Sequence, residues 1–251
     1  MPARRDDHDA LNRPKRFWKS ATTGARSQAR EGEASYAVLL DGRVAKSPAG
    51  SALLLPTQAL GELIAREWDG IDDYVNYALM PATRLAFTAL DRIAVAREAV
   101  ARETANYAAS DLLCYFADAP AALVERETVN WAPVLDWAER ELGLRFVRTS
   151  GIIHRPQPPE TAARVQALAL DLDDFGLAGL SWAAALFGSA VLALALQRGE
   201  LGGQRAFDLS RLDEAFQAEQ WGVDAEAAAR DAVLQSEALL LERWFDALRQ
   251  P

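Results

Sequence analysis

The residue types that most often carry enzyme chemistry are scarce in this chain. It has only two histidines, so a Ser-His-Asp triad would have to use His8, near the N-terminus, or His154, in a proline-rich segment. There is no glycine-rich phosphate loop, nucleophile elbow, HExxH or CxxC sequence. Cys114 is the single cysteine, so it can form neither an internal disulfide nor a cysteine zinc site. We therefore expect no enzyme activity and no cofactor.

Carboxylates are the one chemically capable group that is abundant. Asp171, Asp173 and Asp174 could bind a metal, but they crowd a single turn without spaced partners, and we expect a solvated helix edge there. Two carboxylates flanking a substrate cannot be recognised from sequence alone. An enzyme with an unrecognised carboxylate site thus remains an alternative, and it predicts a deep pocket lined by carboxyl groups of raised pKa.

Cations flank two aromatic residues, Phe17 and Trp18, in the segment from Lys15 to Lys19. Such a pattern can stack on nucleic acid or lie at a membrane surface. We favour a structural role, in which the aromatics dock a strand and the cations stay in water. The formal net charge of −9 also argues against a nucleic-acid partner, because such binding depends on cationic residues.

The most distinctive segment runs from 212 to 222. A helix that turns Leu212 and Phe216 inward would display carboxylates and amides outward, and Gly222 would end it. Trp221 stands beside that glycine, and tryptophan is favoured at binding hot spots. An ordinary solvated helix end and a partner-binding surface both fit this pattern.

The periodicity predicts strands first and helices afterwards. Asp41-Gly42 between two strand-like runs, 36–40 and 43–47, predicts a hairpin. Residues 52–55 are a candidate third strand, and the segment around Phe17 and Trp18 a candidate fourth. This order favours a segregated α+β fold, with a small N-terminal β subdomain followed by a larger multihelical C-terminal domain. The predicted limits are a flexible tail at 1–14, a β-rich subdomain at 15–56 and a helical domain at 57–251, with an extended linker near 145–160.

Prolines and apolar spacing mark the predicted helices. Leu60, Leu63, Ile64 and Trp68 lie on one helical face, and Pro81 suits the first position of the next helix, with a break near residue 91. Pro133 is expected in the first turn of a helix carrying Trp131 to Leu142, because an interior proline would break it. Residues 145–153 have strand character, and helices resume near residue 161. A last helix places Leu234, Ala238, Leu241, Phe245 and Leu248 on one stripe.

The run from 175 to 196 has no charged residue and, as one helix, is long enough to cross a bilayer. Its many Ala, Gly and Ser residues favour instead a helix buried in a bundle, beginning as late as Leu180. A membrane-associated assembly factor is therefore the second alternative, and we expect no stable membrane insertion.

Taken in order, these segments resemble the assembly chaperones for the α subunit of the catalytic sector of F-type ATP synthase, found in mitochondria and α-proteobacteria. The matching pieces are RFWK at 16–19, YAVLLDGR at 36–43, KSP at 46–48, AREWD at 65–69, MPATRL at 80–85, Tyr107, DLLCY at 111–115, NWAP at 130–133, and Glu214 through Gln217 to Trp221-Gly222. Ser47 and Ala132 stand where the family commonly has Thr and Asp, and its His-Asp pair after Trp-Gly has only Arg230-Asp231 nearby.

The resemblance implies a chaperone that binds the unassembled α subunit and prevents its aggregation until the β subunit replaces it. The family's acidic position before Trp-Gly maps onto Asp213 or Glu214, and the implied partner-binding set is Asp213, Glu214, Gln217 and Trp221. We expect a monomer in the bacterial cytoplasm, with eukaryotic relatives in the mitochondrial matrix.

Overall fold

The structure is a computed structural model that describes residues 13–26, 35–151 and 155–250. Most of the predicted tail, together with His8, Ile153 and His154, lies outside the described residues. The chain forms two compact units. We call them the N-terminal unit, which runs to Asp91 and also includes residues 247–250, and the C-terminal unit, from Arg92 to Asp246.

The N-terminal unit is built on a small antiparallel sheet. Its strands are β1 (Ala21–Arg26), β2 (Ser35–Leu40), β3 (Arg43–Val44) and β4 (Leu54–Leu55). β2 pairs with all three others, and the β2–β3 hairpin turns at Asp41 and Gly42, which both have positive φ. The predicted hairpin is therefore confirmed, and the predicted third strand is present in shortened form.

The strand expected around Phe17 and Trp18 was wrong, since β1 begins only at Ala21. The backbone before it is irregular because the Arg16 guanidinium donates to several carbonyl oxygens. Its acceptors are Trp18 at 2.9 Å, Lys19 at 2.8 Å and Asp69 at 3.0 Å, together with Ile71. These hydrogen bonds from one charged side chain hold the segment around Phe17 and Trp18 in place without strand pairing.

Two helices complete this unit, α1 (Gln58–Asp69) and α2 (Pro81–Thr88). α1 packs on β1 and β2 through Leu60, Ile64 and Trp68, which are buried as their spacing predicts. Pro81 opens α2, and the Glu67 carboxylate caps that helix by accepting from Ala82 N at 2.8 Å and Thr83 N at 2.7 Å. The AREWD and MPATRL segments thus contact each other directly.

The C-terminal unit is helical. Its helices are α3 (Ala94–Asn106), α4 (Ala121–Leu142), α5 (Pro159–Leu170), α6 (Asp174–Phe187), α7 (Ala190–Arg198), α8 (Gly203–Ser210), α9 (Leu212–Trp221) and most of α10 (Ala225–Arg249). Short strands β5 (Tyr115–Phe116) and β6 (Thr149–Ser150) pair in parallel. α3 packs on α5 and α6, while α7 packs on α4, α6 and α8. The α+β fold class is confirmed. The break expected near residue 91 is a π-helical segment, Ala89–Ile93.

The placement of Pro133 in a first turn was wrong, because Pro133 lies inside the 22-residue helix α4. Proline cannot donate the usual bond to the carbonyl of Val129. Both residues are exposed, so that carbonyl lies on the solvent side of the helix, where water can replace the missing donor. Trp131, Leu135 and Leu142 are buried on the opposite side.

The apolar run forms two helices rather than one. α6 begins at Asp174, earlier than expected, with the Asp173 side chain capping Gly176 N at 2.6 Å. Gly188 ends it with a φ of 63°, and Ser189 caps α7. Within the described part of the chain, no helix is both long and apolar enough to cross a membrane.

Candidate partner-binding site

The segment singled out by sequence forms a helical hairpin, α9 followed by α10. Gly222 ends α9 with φ 90° and ψ 165°, a conformation that residues with a Cβ rarely adopt. Asp224 then caps α10 by accepting from Ala227 N at 3.0 Å. At the other end of α9, Arg211 forms an ion pair at 3.3 Å with Asp231 of α10. The two helices therefore run back along each other, and residues 221–224 form the tip of the hairpin.

One face of α9 is attached to α4. Leu212 is buried and Phe216 half-buried, as predicted. Arg126 makes a two-pronged ion pair with Glu219, at 2.7 and 2.8 Å, and its guanidinium carbon lies 5.2 Å from the Phe216 ring centroid. Bidentate pairing and ring stacking both require a planar guanidinium, which fixes the rotation of α9 about its axis.

A carboxyl pair lies on the same attached side. Glu127 of α4 is fully buried, accepts from Ala117 N at 2.6 Å and hydrogen-bonds to Asp213. Glu127 Oε1 and Asp213 Oδ1 find no donor among the described residues, so a proton on Glu127 would give both oxygens a partner. Burial, reinforced by the neighbouring Asp213, raises the pKa of Glu127 to about 7.

The opposite face of α9 is open to solvent. Glu214, Gln217 and Trp221 are spaced i, i+3 and i+7, so they lie on one side of the helix, and all three are exposed. Trp221 is 85% exposed, and Val223 beyond the glycine is 71% exposed. Glu214 pairs with Arg211 at 2.9 Å but keeps about half of its side chain accessible. We call Glu214, Gln217, Trp221 and Val223 the α9 surface.

The structure thus separates the four residues predicted from sequence. Glu214, Gln217 and Trp221 share one exposed face, whereas Asp213 points to Glu127. Sequence reasoning missed Arg126 and Glu127, which orient α9 from a distant helix and carry no local signal. It also missed Val223, although an apolar residue directly after Trp-Gly could have been noticed.

The other chemical candidates have structural partners. Asp111 is fully buried and accepts from Ser189 Oγ at 2.7 Å, Val191 N at 3.0 Å and Leu113 N at 3.1 Å. It joins two helix N-termini, while burial raises its pKa to about 6. Asp174 pairs with Arg97. Among the described residues, no group of three or more His, Cys, Asp or Glu side chains is placed to hold a metal ion.

Comparison with known proteins identifies the family. The model of the ATP12 chaperone protein family matches residues 15–139. Atp12 from Paracoccus denitrificans has 40% sequence identity to this chain, with a TM-score of 0.85 over 94% of this chain and 98% of that one. The chain belongs to the ATP12 chaperone family. This confirms the resemblance inferred from the ordered segments and, with it, the class of ATP synthase assembly chaperones.

Further similar proteins cover most of the chain. An aspartate-to-lysine variant of the Paracoccus protein matches equally well. The Atu1473 protein of Agrobacterium tumefaciens matches with a TM-score of 0.85 and 39% identity, over 94% of this chain and 87% of that one. Protein atp12, mitochondrial, of Schizosaccharomyces pombe is 26% identical over 220 residues, 83% of this chain and 74% of that protein. ATP12 proteins therefore include both bacterial and mitochondrial members.

Proposed function

We propose that this protein binds the unassembled α subunit of F-type ATP synthase through the α9 surface and prevents its aggregation, in the bacterial cytoplasm and as a monomer. The observation that carries the proposal is Trp221. A tryptophan with 85% of its surface exposed has no packing role in the unit that bears it. Aromatic side chains of this kind are characteristic anchors of protein interfaces.

The surroundings of Trp221 suit a binding anchor. Arg126, Phe216 and Glu219 fix the far side of α9, so the exposed face is ordered before a partner arrives. Preorganisation lowers the entropic cost of association. Glu214 adds a carboxylate at the edge of the apolar contact, where charge contributes orientation and specificity.

The structure favours Glu214 over Asp213 as the acidic contact. Asp213 Oδ1 is inaccessible and Asp213 faces Glu127, whereas Glu214 is accessible and lies on the side of Trp221. Asp213→Asn would keep a donor toward Glu127, and we expect it to preserve binding. Glu214→Lys reverses the charge beside the anchor and is expected to weaken binding.

An unassembled subunit exposes apolar surface intended for its neighbour, which makes it prone to aggregate. A chaperone needs only to cover that surface and to bind it less tightly than the true partner does. The chain has no phosphate-binding loop, so we propose release by competition with the β subunit rather than by nucleotide hydrolysis.

The test is light scattering by isolated α subunit as it aggregates, with and without the chaperone. Wild type should suppress scattering, and Trp221→Ala and Glu214→Lys should lose most of that effect. Matched controls are Leu79→Ala, an apolar residue 77% exposed in the N-terminal unit, and Glu103→Lys, an exposed charge on α3. Both controls should behave as wild type.

Either of two results would contradict the proposal. Wild-type protein without effect on scattering would exclude the α subunit as the client. Suppression by wild type that survives both Trp221→Ala and Glu214→Lys would place the binding surface elsewhere. Circular dichroism on every variant separates lost binding from lost folding.

A further inference from the structure

The N-terminal unit has a surface groove, separate from the α9 surface, that the proposed function does not use. We call it the aromatic groove. Its volume is about 360 Å³, and its lining is predominantly apolar. Trp18, Trp68, Val75 and Tyr77 contribute to this lining, together with Phe17, whose side chain is 73% exposed. A volume of this size accommodates a few apolar side chains.

The aromatic lining is rigid. Trp18 donates its indole N–H to the Trp68 carbonyl at 3.2 Å, and their ring centroids lie 5.2 Å apart. Tyr77 meets Trp68 edge-on at 6.3 Å. Both tryptophans are only 4% exposed, so they are fixed before any ligand arrives. A preformed apolar surface of this kind binds without paying for side-chain ordering.

The charge of the groove is opposite to that of the whole protein. The chain has only three lysines, and two of them, Lys15 and Lys46, line this groove beside Arg43, while no carboxylate lines it among the described residues. None of these three cations forms an ion pair with any residue the structure describes. Three uncompensated cations around an apolar surface, in a protein of net charge −9, call for an anionic and apolar ligand.

We propose that the aromatic groove binds an extended polypeptide segment of a partner protein in which bulky apolar residues alternate with carboxylates. The apolar residues contact the aromatic lining, and the carboxylates reach Lys15, Arg43 and Lys46. In an extended chain successive side chains point to opposite sides, so alternation lets one set fill the groove while the other meets its rim. This site goes beyond the proposed function, since it lies in the other unit and requires neither Trp221 nor the α subunit.

The observations favour a peptide over other occupants. A second copy of this chain that paired groove to groove would bring its own Lys15, Arg43 and Lys46 against the same three cations, which would repel them. An anionic membrane repels a protein of that charge, and its surface cannot enter a concave groove without deformation. A polypeptide segment has both apolar side chains that can enter the groove and carboxylates that can reach its cations.

The direct test is fluorescence anisotropy of a labelled octapeptide in which leucine and glutamate alternate. Wild type should bind it, and Arg43→Glu combined with Lys46→Glu should weaken binding by about tenfold or more. A leucine–lysine peptide should bind wild type at least tenfold more weakly, and so should a serine–glutamate peptide. The matched control combines Arg102→Glu with Arg155→Glu, which makes the same charge change at exposed positions elsewhere.

A second measurement locates the peptide. Phe17→Cys is labelled with a benzophenone; the native Cys114 is fully buried, and burial raises the pKa of its thiol, so it resists labelling. Irradiation should join position 17 to the leucine–glutamate peptide and not to the leucine–lysine peptide. The same label at Arg102→Cys should give no product.

Several outcomes would overturn the proposal. They are absence of leucine–glutamate binding, equal binding of the leucine–lysine peptide, and insensitivity to the double charge reversal. Cross-linking between two copies of the protein would identify the groove as a self-association surface instead. Sedimentation with phosphatidylglycerol vesicles that is lost in the double variant, without peptide binding, would identify a lipid surface. None of these results bears on the α-subunit assay, so the two proposals fail independently.

Discussion

Trp68 and Trp221 both stand at the end of a helix, within two residues of a glutamate and of a glycine, yet their surroundings are opposite. Trp68 is 4% exposed and Trp221 is 85% exposed. After Trp68 the chain continues through an extended loop, and Trp18 packs against the ring. After Trp221 only three residues precede α10, which begins at Ala225, and none of the described chain covers the indole.

Their acidic neighbours differ in the same way. Glu67 caps α2, and Asp69 lies near Arg16 and accepts from Ala21 N at 3.3 Å, so the carboxylates beside Trp68 hold segments of the unit together. Glu219 beside Trp221 pairs with Arg126 at the surface. Similar local sequences are thus buried in one place and left exposed in another, depending on what the following chain covers.

The largest expected effect is on the stability of the N-terminal unit. Trp68→Ala removes a buried ring and should lower the free energy of unfolding by about 3–5 kcal/mol. Trp221→Ala should change it by less than about 0.5 kcal/mol, because the ring is already in water. Urea unfolding monitored by circular dichroism measures both. Equal losses would show that the two tryptophans do not differ as described.

The next effect concerns Glu67, the glutamate directly before Trp68. Glu67→Ala leaves the first amides of α2 without their charged acceptor and should cost about 2–3 kcal/mol. Glu62→Ala, on an exposed position of the same helix, is the control and should cost less than about 0.5 kcal/mol. Chemical denaturation of both variants would reveal whether the Glu67 cap matters.

The carboxyl pair behind α9 predicts a dependence on pH. The pKa of Glu127 rises from 4.5 to about 7 on folding, so the folded protein binds more protons between these values. The contribution of Glu127 to stability is therefore fully present below about pH 4.5, falls as the pH rises, and is lost above about pH 7. Glu127→Gln keeps an acceptor for Ala117 and a donor for Asp213 without the charge.

The free energy of unfolding of Glu127→Gln should accordingly be about 1–3 kcal/mol higher than that of wild type at pH 8. The two values should be equal near pH 4.5. Asp111, whose pKa is also raised, titrates in both proteins and cancels from the difference. The measurement is urea unfolding at a series of pH values. A difference that stays constant across this range would contradict the raised pKa of Glu127.

The smallest expected effect is at Glu219. Its pair with Arg126 is exposed, so Glu219→Ala should lower the free energy of unfolding only slightly. Double-mutant cycles with Arg126→Ala isolate the coupling, and high salt should reduce it. A large coupling that high salt leaves unchanged would mean that the pair is a principal attachment of α9 rather than an orienting contact.

Local rules predicted much of the fold. The β2–β3 hairpin followed from Asp41-Gly42, and the start of α2 from Pro81, because those residues fix backbone angles by themselves. Tertiary structure decided the rest. Pro133 is tolerated inside α4 since its missing bond faces solvent, and the Phe17 segment is irregular because Arg16 binds carbonyls far along the chain. The domain limits predicted from sequence remain a prediction.

In the candidate site, too, local spacing predicted some features and tertiary structure decided the others. Spacing alone turned Leu212 and Phe216 inward and the carboxylates and amides of α9 outward. It could not choose between Asp213 and Glu214, because that choice depends on Glu127, a residue of another helix. A buried carboxyl on a distant helix leaves no signal in the sequence of α9.

The most direct test of the central proposal is the affinity of isolated ATP synthase α subunit for wild type and for Trp221→Ala. It is measured with the chaperone immobilised on a sensor surface, after unfolding has shown that the two proteins are equally stable. Loss of a hot-spot tryptophan should weaken binding by about thirtyfold or more, with unfolding unchanged. Leu79→Ala should bind as wild type. If Trp221→Ala binds the α subunit as tightly as wild type does, the α9 surface is not where this chaperone holds its client.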